Sequence, residues 1–284
     1  MFGFLNVYKP AGITSHDVVN KLRRVLKIKK IGHAGTLDPL AQGVLPVAIS
    51  NATRLIDFLS DEKEYIADFQ LGVCSKSYDT ESEIEFYSDK KVSNTDISNI
   101  LENFKGRIKQ KPPIYSAVKV GGKKLYELAR NGETCDIQER EVIINKIILE
   151  NFDEKNQKGK IVINCSKGTY IRSIINDMGL LLKTGAIMTG LTRIKSGGMY
   201  IDDSLNVNDI NEISKVQKNI ISVTTLLNFP QINLTEYEFN KVKNGNSIDA
   251  KGFYLGNVFL KHNNTIIALG EFDKNLIKIK KVFI

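Results

Sequence analysis

Cysteine is scarce in this chain. Its 284 residues include three cysteines, which lie far apart at Cys74, Cys135 and Cys165. No Cys-X-X-Cys pair and no histidine cluster accompanies them, so the sequence predicts neither a zinc site nor a disulfide framework. Scattered, reduced thiols are typical of cytosolic proteins, and a cytoplasmic location is therefore expected.

Long hydrophobic runs are also lacking. The sequence has no stretch of about 18 apolar residues, so a membrane-spanning helix is not expected. The first twelve residues lack the basic start and the long apolar segment that are typical of a signal peptide. Internal repeats and low-complexity tracts are not evident, which argues against a repeat architecture.

The residues that are present suit a packed core. The chain is 42% hydrophobic and 25% charged, as in ordinary globular proteins. Its length predicts one large domain, or a large domain and a small one. The formal net charge of +8 favours a polyanionic partner. Charge alone leaves a nucleic-acid-binding protein and a merely basic enzyme equally open.

Hydrophobic periodicity predicts a mixture of strands and helices in the main body of the chain. Ser15 is expected to cap a helix through about Leu26, and Asn51 a helix through Leu59. The remaining elements follow from the same patterns. Helices are predicted at 96–104, 125–130 and 170–182, and strands at 2–8, 65–71, 142–150, 160–165 and 186–194. This mixture predicts the α+β class.

The pattern changes from about Gln231. Short segments rich in Ile, Val and Phe, separated by polar turns, occupy 252–261, 265–272 and 276–284. They predict a small β-rich unit of about 50 residues. We therefore expect a main domain at 1–230 and a small C-terminal domain at 231–284.

The most informative stretch is the loop-like segment 32–46, GHAGTLDPLAQGVLP. Its three glycines and two prolines argue against a long regular element. Pro39 biases Asp38 towards an extended backbone from which the carboxylate can project. Asp followed by Pro is equally typical of a helix N-cap, so spacing alone leaves capping and catalysis both open.

The same fifteen residues resemble the catalytic motif of the TruB-type tRNA pseudouridine synthases, the TruB/dyskerin family. Further motifs of this family occur in the same order along the chain. They are KPAGITS at 9–15, KEY at 63–65, QKPPIYSAVK at 110–119, GKKLYELAR at 122–130, GTYIR at 168–172 and LTR at 191–193. The resemblance covers roughly residues 2–196. It implies a core of mixed, largely antiparallel β-sheet flanked by helices.

The resemblance implies an isomerase that acts on uridine 55 in the T loop of tRNA. Such enzymes detach uracil from its ribose, turn the base and rejoin it through carbon 5, without a metal or organic cofactor. The motif aspartate is the family's nucleophile, and this role falls on Asp38. Attack on the sugar and attack on the base ring both stay open.

Two further positions match catalytic residues of the family. Arg172 matches the partner of the aspartate. It falls in the first turn of the helix predicted at 170–182, where a cation opposes the helix dipole. An anion, Asp38 or an RNA phosphate, is therefore expected beside it, although a solvent-facing arginine is the alternative. Tyr65 matches the tyrosine that stacks on the target base, and a half-buried strand tyrosine is its alternative.

Other matches imply contacts with the RNA. The uridine must be flipped out of its loop, at a cost of a few kcal/mol. His33 matches the histidine that enters the vacated space, with an ordinary structural histidine as the alternative. Leu191 matches a leucine that packs against the base. Tyr170 and Lys9 match positions that support the site.

Residues 105–130 form a basic segment with interleaved tyrosines and a single acid, Glu127. Such a segment suits looped RNA, which is held by phosphate contacts and stacking, although a solvated basic face has the same composition. Three of its lysines are predicted to contact the tRNA: Lys119, Lys123 and Lys124.

Two regions match the family less well. The C-terminal unit resembles the PUA-type RNA-binding domain, and an accessory β extension is the alternative. After the Tyr65 strand the family has a T-D-T-x-D-like turn, where this chain has residues 78–82. The turn keeps Asp79 and loses the final acid, which puts local RNA contacts in question and leaves the chemistry intact.

The sequence therefore predicts a cytoplasmic tRNA pseudouridine synthase that works as a monomer, without an obligate protein partner. A tRNA-binding or tRNA-folding protein with dispensable catalysis is one alternative. A synthase for another RNA is a second one, since guide-RNA-dependent synthases share the core. Those relatives carry long basic extensions, whereas this chain has only short flanks.

Overall fold

A computed structural model describes residues 1–116, 119–120, 123–125, 137–250, 252 and 255–284, with backbone alone at 119–120 and 123–124. Beyond its first residue, the helix predicted at 125–130 lies outside these residues, as does Cys135. None of the helices described has the length and apolar character needed to cross a bilayer.

Strands provide most of the described structure. The first ten are β1 (Gly3–Lys9), β2 (Ile31–His33), β3 (Gln42–Ile49), β4 (Lys63–Leu71), β5 (Val73–Ser75), β6 (Ile84–Phe86), β7 (Gly106–Gln110), β8 (Lys119–Val120), β9 (Lys123–Lys124) and β10 (Arg140–Asp153). The others are β11 (Lys158–Cys165), β12 (Ala186–Ser196), β13 (Met199–Tyr200), β14 (Leu205–Asn206), β15 (Ile220–Ile221), β16 (Gln231–Asn233), β17 (Ile248–Asp249), β18 (Asn257–His262), β19 (Thr265–Asp273) and β20 (Leu276–Val282).

Helices flank the strands. The α-helices are α1 (Ser15–Leu26), α2 (Asn94–Leu101), α3 (Ile171–Leu182), α4 (Ile213–Lys218), α5 (Val223–Leu227) and α6 (Glu236–Val242). Short 3₁₀ helices occupy Ser50–Phe58, Glu102–Phe104, Ile201–Asp203 and Val207–Asp209. The fold is thus α+β, as predicted.

A large mixed sheet organises the main body. Its strands lie in the order β14-β1-β3-β12-β4-β11-β10-β7, and β13, β15 and β2 pair beside this path. The pairs β1–β14 and β3–β12 are parallel and the other pairs are antiparallel, so the sheet is largely antiparallel as expected. The central strands β4 and β12 come from distant parts of the chain. Their register sets Tyr65 opposite Arg193 and Ala67 opposite Leu191.

The segment 32–46 contains more regular structure than predicted. β2 ends at His33 and β3 begins at Gln42, so the loop is confined to 34–41. Gly43 explains the error: it lies inside β3 at φ +105°, and an added Cβ would be 2.2 Å from the carbonyl oxygen of Arg193. This glycine permits a close approach between two strands and does not mark a loop.

Both predicted helix caps are wrong, because the side chains make other contacts. Thr14 caps α1 in a capping box with Asp17, in which Oγ1 of Thr14 accepts from the Asp17 amide at 3.1 Å. Ser15 instead bonds to the backbone of Leu37. The segment at Asn51 is a 3₁₀ helix, and the Asn51 amide donates to the carbonyl of Phe283 near the C-terminus.

The C-terminal strands form a second sheet in the order β16-β18-β19-β20-β17. The turn between β18 and β19 uses Asn263 and Asn264 at positive φ, a conformation that asparagine tolerates in hairpins. Phe259 and Phe283 of this sheet share a buried cluster with Phe4 of β1. The two sheets are therefore joined by apolar packing.

Candidate active site

The loop at 34–41 carries Asp38 and is tied to the segment that precedes α1. The Gly12 amide donates to the Pro39 carbonyl at 2.8 Å. The Ser15 hydroxyl accepts from the Leu37 amide at 2.9 Å and donates to the Leu37 carbonyl at 3.1 Å. The backbone on both sides of Asp38 is thus fixed by hydrogen bonds.

Lys9, predicted as a supporting residue, lies fully buried beneath this loop. Its ammonium donates to the carbonyls of Ile13 at 2.7 Å, Pro10 at 3.0 Å and Pro39 at 3.4 Å. Burial lowers the pKa of Lys9 to about 8, and the nearby Asp38 opposes this effect. Lys9 thus acts on the backbone around Asp38.

Arg193 holds the other side of the loop. It is fully buried, and it donates to the carbonyls of Val44 at 2.7 Å, Gly35 at 3.1 Å and Thr36 at 3.3 Å. The sequence analysis named it only as part of a motif. Its signal was available, because a charged residue within a buried strand such as β12 needs specific partners.

Asp38 forms an ion pair with Arg172, the second residue of α3. Nη2 of Arg172 lies 2.9 Å from Oδ2 of Asp38, and Nη1 lies 3.1 Å from Oδ2 of Asp79. The guanidinium also donates to the carbonyls of Tyr115 and Ser77. The Asp38 side chain is 38% exposed, whereas those of Arg172 and Asp79 are 6% and 0% exposed. A buried arginine thus presents an accessible carboxylate.

The surroundings of Asp79 differ from those inferred from the sequence. The turn that contains it was connected with RNA contacts, but its carboxylate is buried against Arg172. It also accepts from the Ser77 hydroxyl at 2.5 Å and the Glu81 amide at 2.9 Å. Burial raises the pKa of Glu81, and the charge of Asp79 adds to this effect.

A cavity of about 240 Å³ opens beside the Asp38–Arg172 pair. Tyr65, Tyr170 and Leu191 line it with Lys63, so three predicted positions meet here. Burial raises the pKa of Tyr65, which keeps its phenol neutral at ordinary pH. The backbone of Tyr170 is fixed by the Gln110 amide group, through bonds of 2.8 and 2.9 Å.

The remaining predicted residues lie elsewhere. His33 ends β2 and is not among the described residues that line the cavity. Its Nδ1 is buried, and within the described part of the chain it has no hydrogen-bond partner. Burial lowers the pKa of His33, which favours a neutral ring. Lys119 lies in β8, and Lys123 and Lys124 lie in β9. The two strands pair antiparallel, but the structure does not describe the side chains of these lysines.

Sequence reasoning also passed over Lys63, although it begins the KEY motif. Burial lowers its pKa to about 8, with a further contribution from the charge of Arg193. Among the residues that the structure describes, no three His, Cys, Asp or Glu side chains form a group that could hold a metal ion.

Comparison with known proteins identifies the fold and the family. A family model described as TruB family pseudouridylate synthase (N terminal domain) matches residues 23–171, more than half of the chain. The chain belongs to the TruB family of pseudouridylate synthases. The predicted family and enzyme class are thereby confirmed, and the TruB family's reaction makes this chain an isomerase.

Named relatives support this assignment. The tRNA pseudouridine synthase B of Carboxydothermus hydrogenoformans is 43% identical over 291 residues, which cover 100% of this chain and 99% of that protein. The tRNA pseudouridine synthase B of Staphylococcus aureus (strain bovine RF122 / ET3-1) is 50% identical over 218 residues, 74% of this chain and 72% of that protein.

The TruB fold is also similar to that of a chain in the crystal structure of a Cbf5-Nop10-Gar1 complex. The TM-score is 0.72 at 26% sequence identity, with 100% of this chain and 85% of that chain covered. The similarity therefore spans both sheets.

Proposed function

We propose that this TruB-family chain converts uridine 55 in the T loop of tRNA to pseudouridine, with Asp38 as the nucleophile. The observation that carries the proposal is the ion pair between Asp38 and the buried Arg172, at the wall of a base-sized cavity. The relatives named tRNA pseudouridine synthase B support tRNA as the substrate.

The reaction is an isomerisation that balances without an external reactant. The bond between N1 of uracil and C1′ of ribose breaks, and a bond between C5 and C1′ forms. One proton leaves C5 and one is taken up at N1. Because Arg172 binds Oδ2 of Asp38, and no described residue hydrogen bonds to Oδ1, the second oxygen is available for attack. A fixed, ionised carboxylate is the nucleophile that this step requires.

The cavity walls suit a single pyrimidine. A volume of about 240 Å³ lies below the roughly 300–1,000 Å³ of sites for drug-sized ligands. Tyr65 supplies a ring face for stacking, which contributes about 1–3 kcal/mol. Its neutral phenol can also donate a hydrogen bond. Leu191 packs against the base, and Tyr170 completes the wall near Arg172.

The uridine reaches this cavity by leaving its stack in the T loop. His33 fills the space that the base vacates, for which a neutral, uncharged ring is suited. Its orphaned Nδ1 is consistent with a group that acquires a partner only when RNA is bound. Lys119, Lys123 and Lys124 of the basic segment 105–130 bind phosphates of the tRNA.

The chain divides into a catalytic domain at 1–230 and a C-terminal domain at 231–284, which is PUA-like and binds RNA outside the T loop. It works as a monomer without an obligate protein partner and without a cofactor. Partial proteolysis of the free and tRNA-bound protein, with analytical ultracentrifugation, tests the boundary and the oligomeric state together.

The decisive experiment is an assay of purified protein on an unmodified tRNA transcript. Pseudouridine is mapped by carbodiimide labelling and reverse transcription. Wild type should produce a new stop at uridine 55, and Asp38→Asn should lower turnover by on the order of 10⁶-fold, as removal of a nucleophile does elsewhere. Filter binding should show that Asp38→Asn retains its affinity for tRNA, since Asn keeps the shape of the side chain.

Asp209→Asn is the matched control, because it makes the same change at an exposed carboxylate. It should turn over like wild type. Wild-type turnover by Asp38→Asn would remove the nucleophile assignment. A stop at a uridine outside the T loop would mean that the enzyme has a different target uridine. Tight tRNA binding without modification would favour a binding or folding role.

A further inference from the structure

Lys63 occupies the wall between two cavities. It is the first residue of β4, and it lines the cavity of Asp38 together with Tyr65. It also lines an adjoining cavity of about 150 Å³, whose walls include Gly35, Lys167 and the carboxylates of Asp57 and Asp61. Gly35 lies at φ +95°, and a Cβ there would be 3.1 Å from Nζ of Lys63. The ammonium is thus closely approached by the loop that carries Asp38.

Two ion pairs lie next to Lys63 and do not include it. Lys167 lies 3.0 Å from Asp61, and Lys195 lies 2.6 Å from Glu62. Within the described part of the chain, no carboxylate lies within ion-pair distance of the Lys63 ammonium, and no acceptor bonds to it. The neighbouring cation Arg193 bonds to carbonyl groups and to the Tyr65 hydroxyl.

A half-buried cation without an ion-pair partner is costly, since it gives up part of its hydration without gaining a counter-ion. The burial that lowers the pKa of Lys63 to about 8 expresses the same cost. A group placed in this way is stabilised when an anion arrives. The cavity beside Asp38 indicates which anion this is, because a uridine that enters that cavity brings its own phosphodiester groups.

We propose that Lys63 binds a phosphodiester group next to the flipped uridine, with the adjoining cavity receiving the RNA backbone. This inference rests on the proposed function. Lysine suits the task, since its ammonium acts as a point charge towards phosphate and does not require the planar geometry of arginine. Lys63 thereby holds the nucleotide at its backbone while Tyr65 holds the base.

The test asks which individual phosphate of the RNA contacts Lys63. T stem-loop RNAs are prepared with a single methylphosphonate, which is uncharged, on the 5′ or the 3′ side of the target uridine. For wild type, one of these replacements should raise KM about tenfold. Lys63→Gln should show a similar rise in KM with the unmodified RNA and no additional effect of that replacement. Its kcat should stay within about threefold, and the salt dependence of binding should lose about one unit of slope.

Two controls separate this role from a structural one. Lys195→Gln removes a neighbouring ammonium that is already paired, and it should keep the full methylphosphonate effect. Lys63→Arg keeps the charge and should keep most of that effect. Because Lys63 is a half-buried cation without an ion-pair partner, Lys63→Gln should melt at the same temperature as wild type or higher.

The outcomes distinguish this inference from the function on which it rests. If wild type modifies the unsubstituted RNA but is insensitive to both methylphosphonates, Lys63 has no phosphate partner there and the inference is wrong. Equal sensitivity of Lys63→Gln and wild type has the same meaning. If wild type makes no pseudouridine in the unsubstituted stem-loop, the proposed function itself fails.

Discussion

The surroundings of Asp38 and the C-terminal sheet have different interiors. Around Asp38 the chain buries Lys9, Asp79, Arg172 and Arg193. In the C-terminal sheet, the described side chains that are buried as a whole are apolar, Phe259 among them. The side-chain oxygen of Asn257 is also buried there, without a hydrogen-bond partner among the described residues. Apolar burial stabilises a fold directly, whereas buried charge is at best neutral unless every partner is in place. The chain thus concentrates its buried charges around Asp38, where they fix the loop and its carboxylate.

Removing Asp79 is expected to have the largest combined effect on stability and turnover. Asp79→Asn leaves the buried guanidinium of Arg172 with one carboxylate in place of two. We expect the free energy of unfolding to fall by about 3 kcal/mol, as when a buried pair loses one member. Turnover should fall by about 10²-fold as Arg172 and Asp38 lose their fixed geometry. Urea unfolding and single-turnover assays measure the two effects.

The control for Asp79→Asn is Glu236→Gln in the C-terminal unit. Glu236 is 74% exposed and pairs with His262 at 3.2 Å. Exposed pairs contribute little, so neither stability nor turnover should change measurably. Equal losses in the two variants would mean that the ion pairs near Asp38 and those at the surface contribute equally to stability and turnover.

Phe259 tests how much apolar packing in the C-terminal sheet contributes to stability. Phe259→Ala removes a fully buried ring from the cluster that joins the two sheets. The free energy of unfolding should fall by about 3–5 kcal/mol. The kcat of the folded protein should not change, because the ring lies in a cluster distinct from that of Tyr65. Phe86→Ala, the same change at a 75% exposed ring, should alter stability by no more than about 0.5 kcal/mol.

A fall in kcat for Phe259→Ala under conditions where the protein stays folded would contradict this separation. It would show that the cluster between the sheets transmits its packing to the Asp38 loop.

Lys63 predicts an unusual pH dependence of stability. Its pKa is about 8 in the folded chain and 10.5 ordinarily, so the unfolded chain binds more protons between these values. Stability therefore rises with pH across that window. Relative to Lys63→Met, wild type should gain about 2–3 kcal/mol in unfolding free energy between pH 7 and pH 10. The neighbouring groups whose charges influence the pKa of Lys63 are Arg193, Cys165, Asp61 and Lys167.

Lys195→Met is the control for this titration. The hydrogen bond to Glu62 raises the pKa of Lys195, so its contribution is lost only when pH rises above the ordinary lysine range. The difference between wild type and Lys195→Met should stay constant from pH 7 to pH 10. A constant difference for Lys63→Met as well would place the Lys63 ammonium in bulk solvent.

Tyr65 carries the smallest of the expected effects. Tyr65→Leu keeps an apolar side chain but removes the ring, and kcat/KM should fall by about 10–100-fold, the equivalent of the stacking energy. Tyr65→Phe keeps the ring and should lose less than tenfold. Steady-state kinetics on the T stem-loop measures both. Normal turnover by Tyr65→Leu would remove the stacking role.

Much of the fold could be predicted from local pattern. The helix at 15–26 and the strands around Tyr65 and Leu191 have strong periodicity, and the structure confirms them within one or two residues. Errors arose where a residue serves a distant contact. Ser15 has the chemistry of a cap but binds the Asp38 loop, and Gly43 has the chemistry of a turn but lies inside β3, against β12.

The candidate site could be predicted only in part. Asp38, Tyr65 and Arg172 came from motif resemblance, and the structure brings them to one cavity. The partners of Asp79 and Arg193 could not be read from sequence, because each partner is distant along the chain. Arg172 and Asp79 are separated by 93 positions, and Arg193 and Val44 by 149. Local patterns carry no information about such pairings.

The clamp formed by Arg193 has a consequence for synthesis on the ribosome. The Asp38 loop is translated early, but the guanidinium that holds it follows about 150 residues later. At roughly 5–20 residues per second, this interval lasts about 7–30 seconds. Until β12 emerges, the nascent chain has the Asp38 carboxylate without the strand that holds its loop. If Asp38 is the nucleophile, a growing polypeptide is therefore unable to modify RNA before β12 has left the exit tunnel.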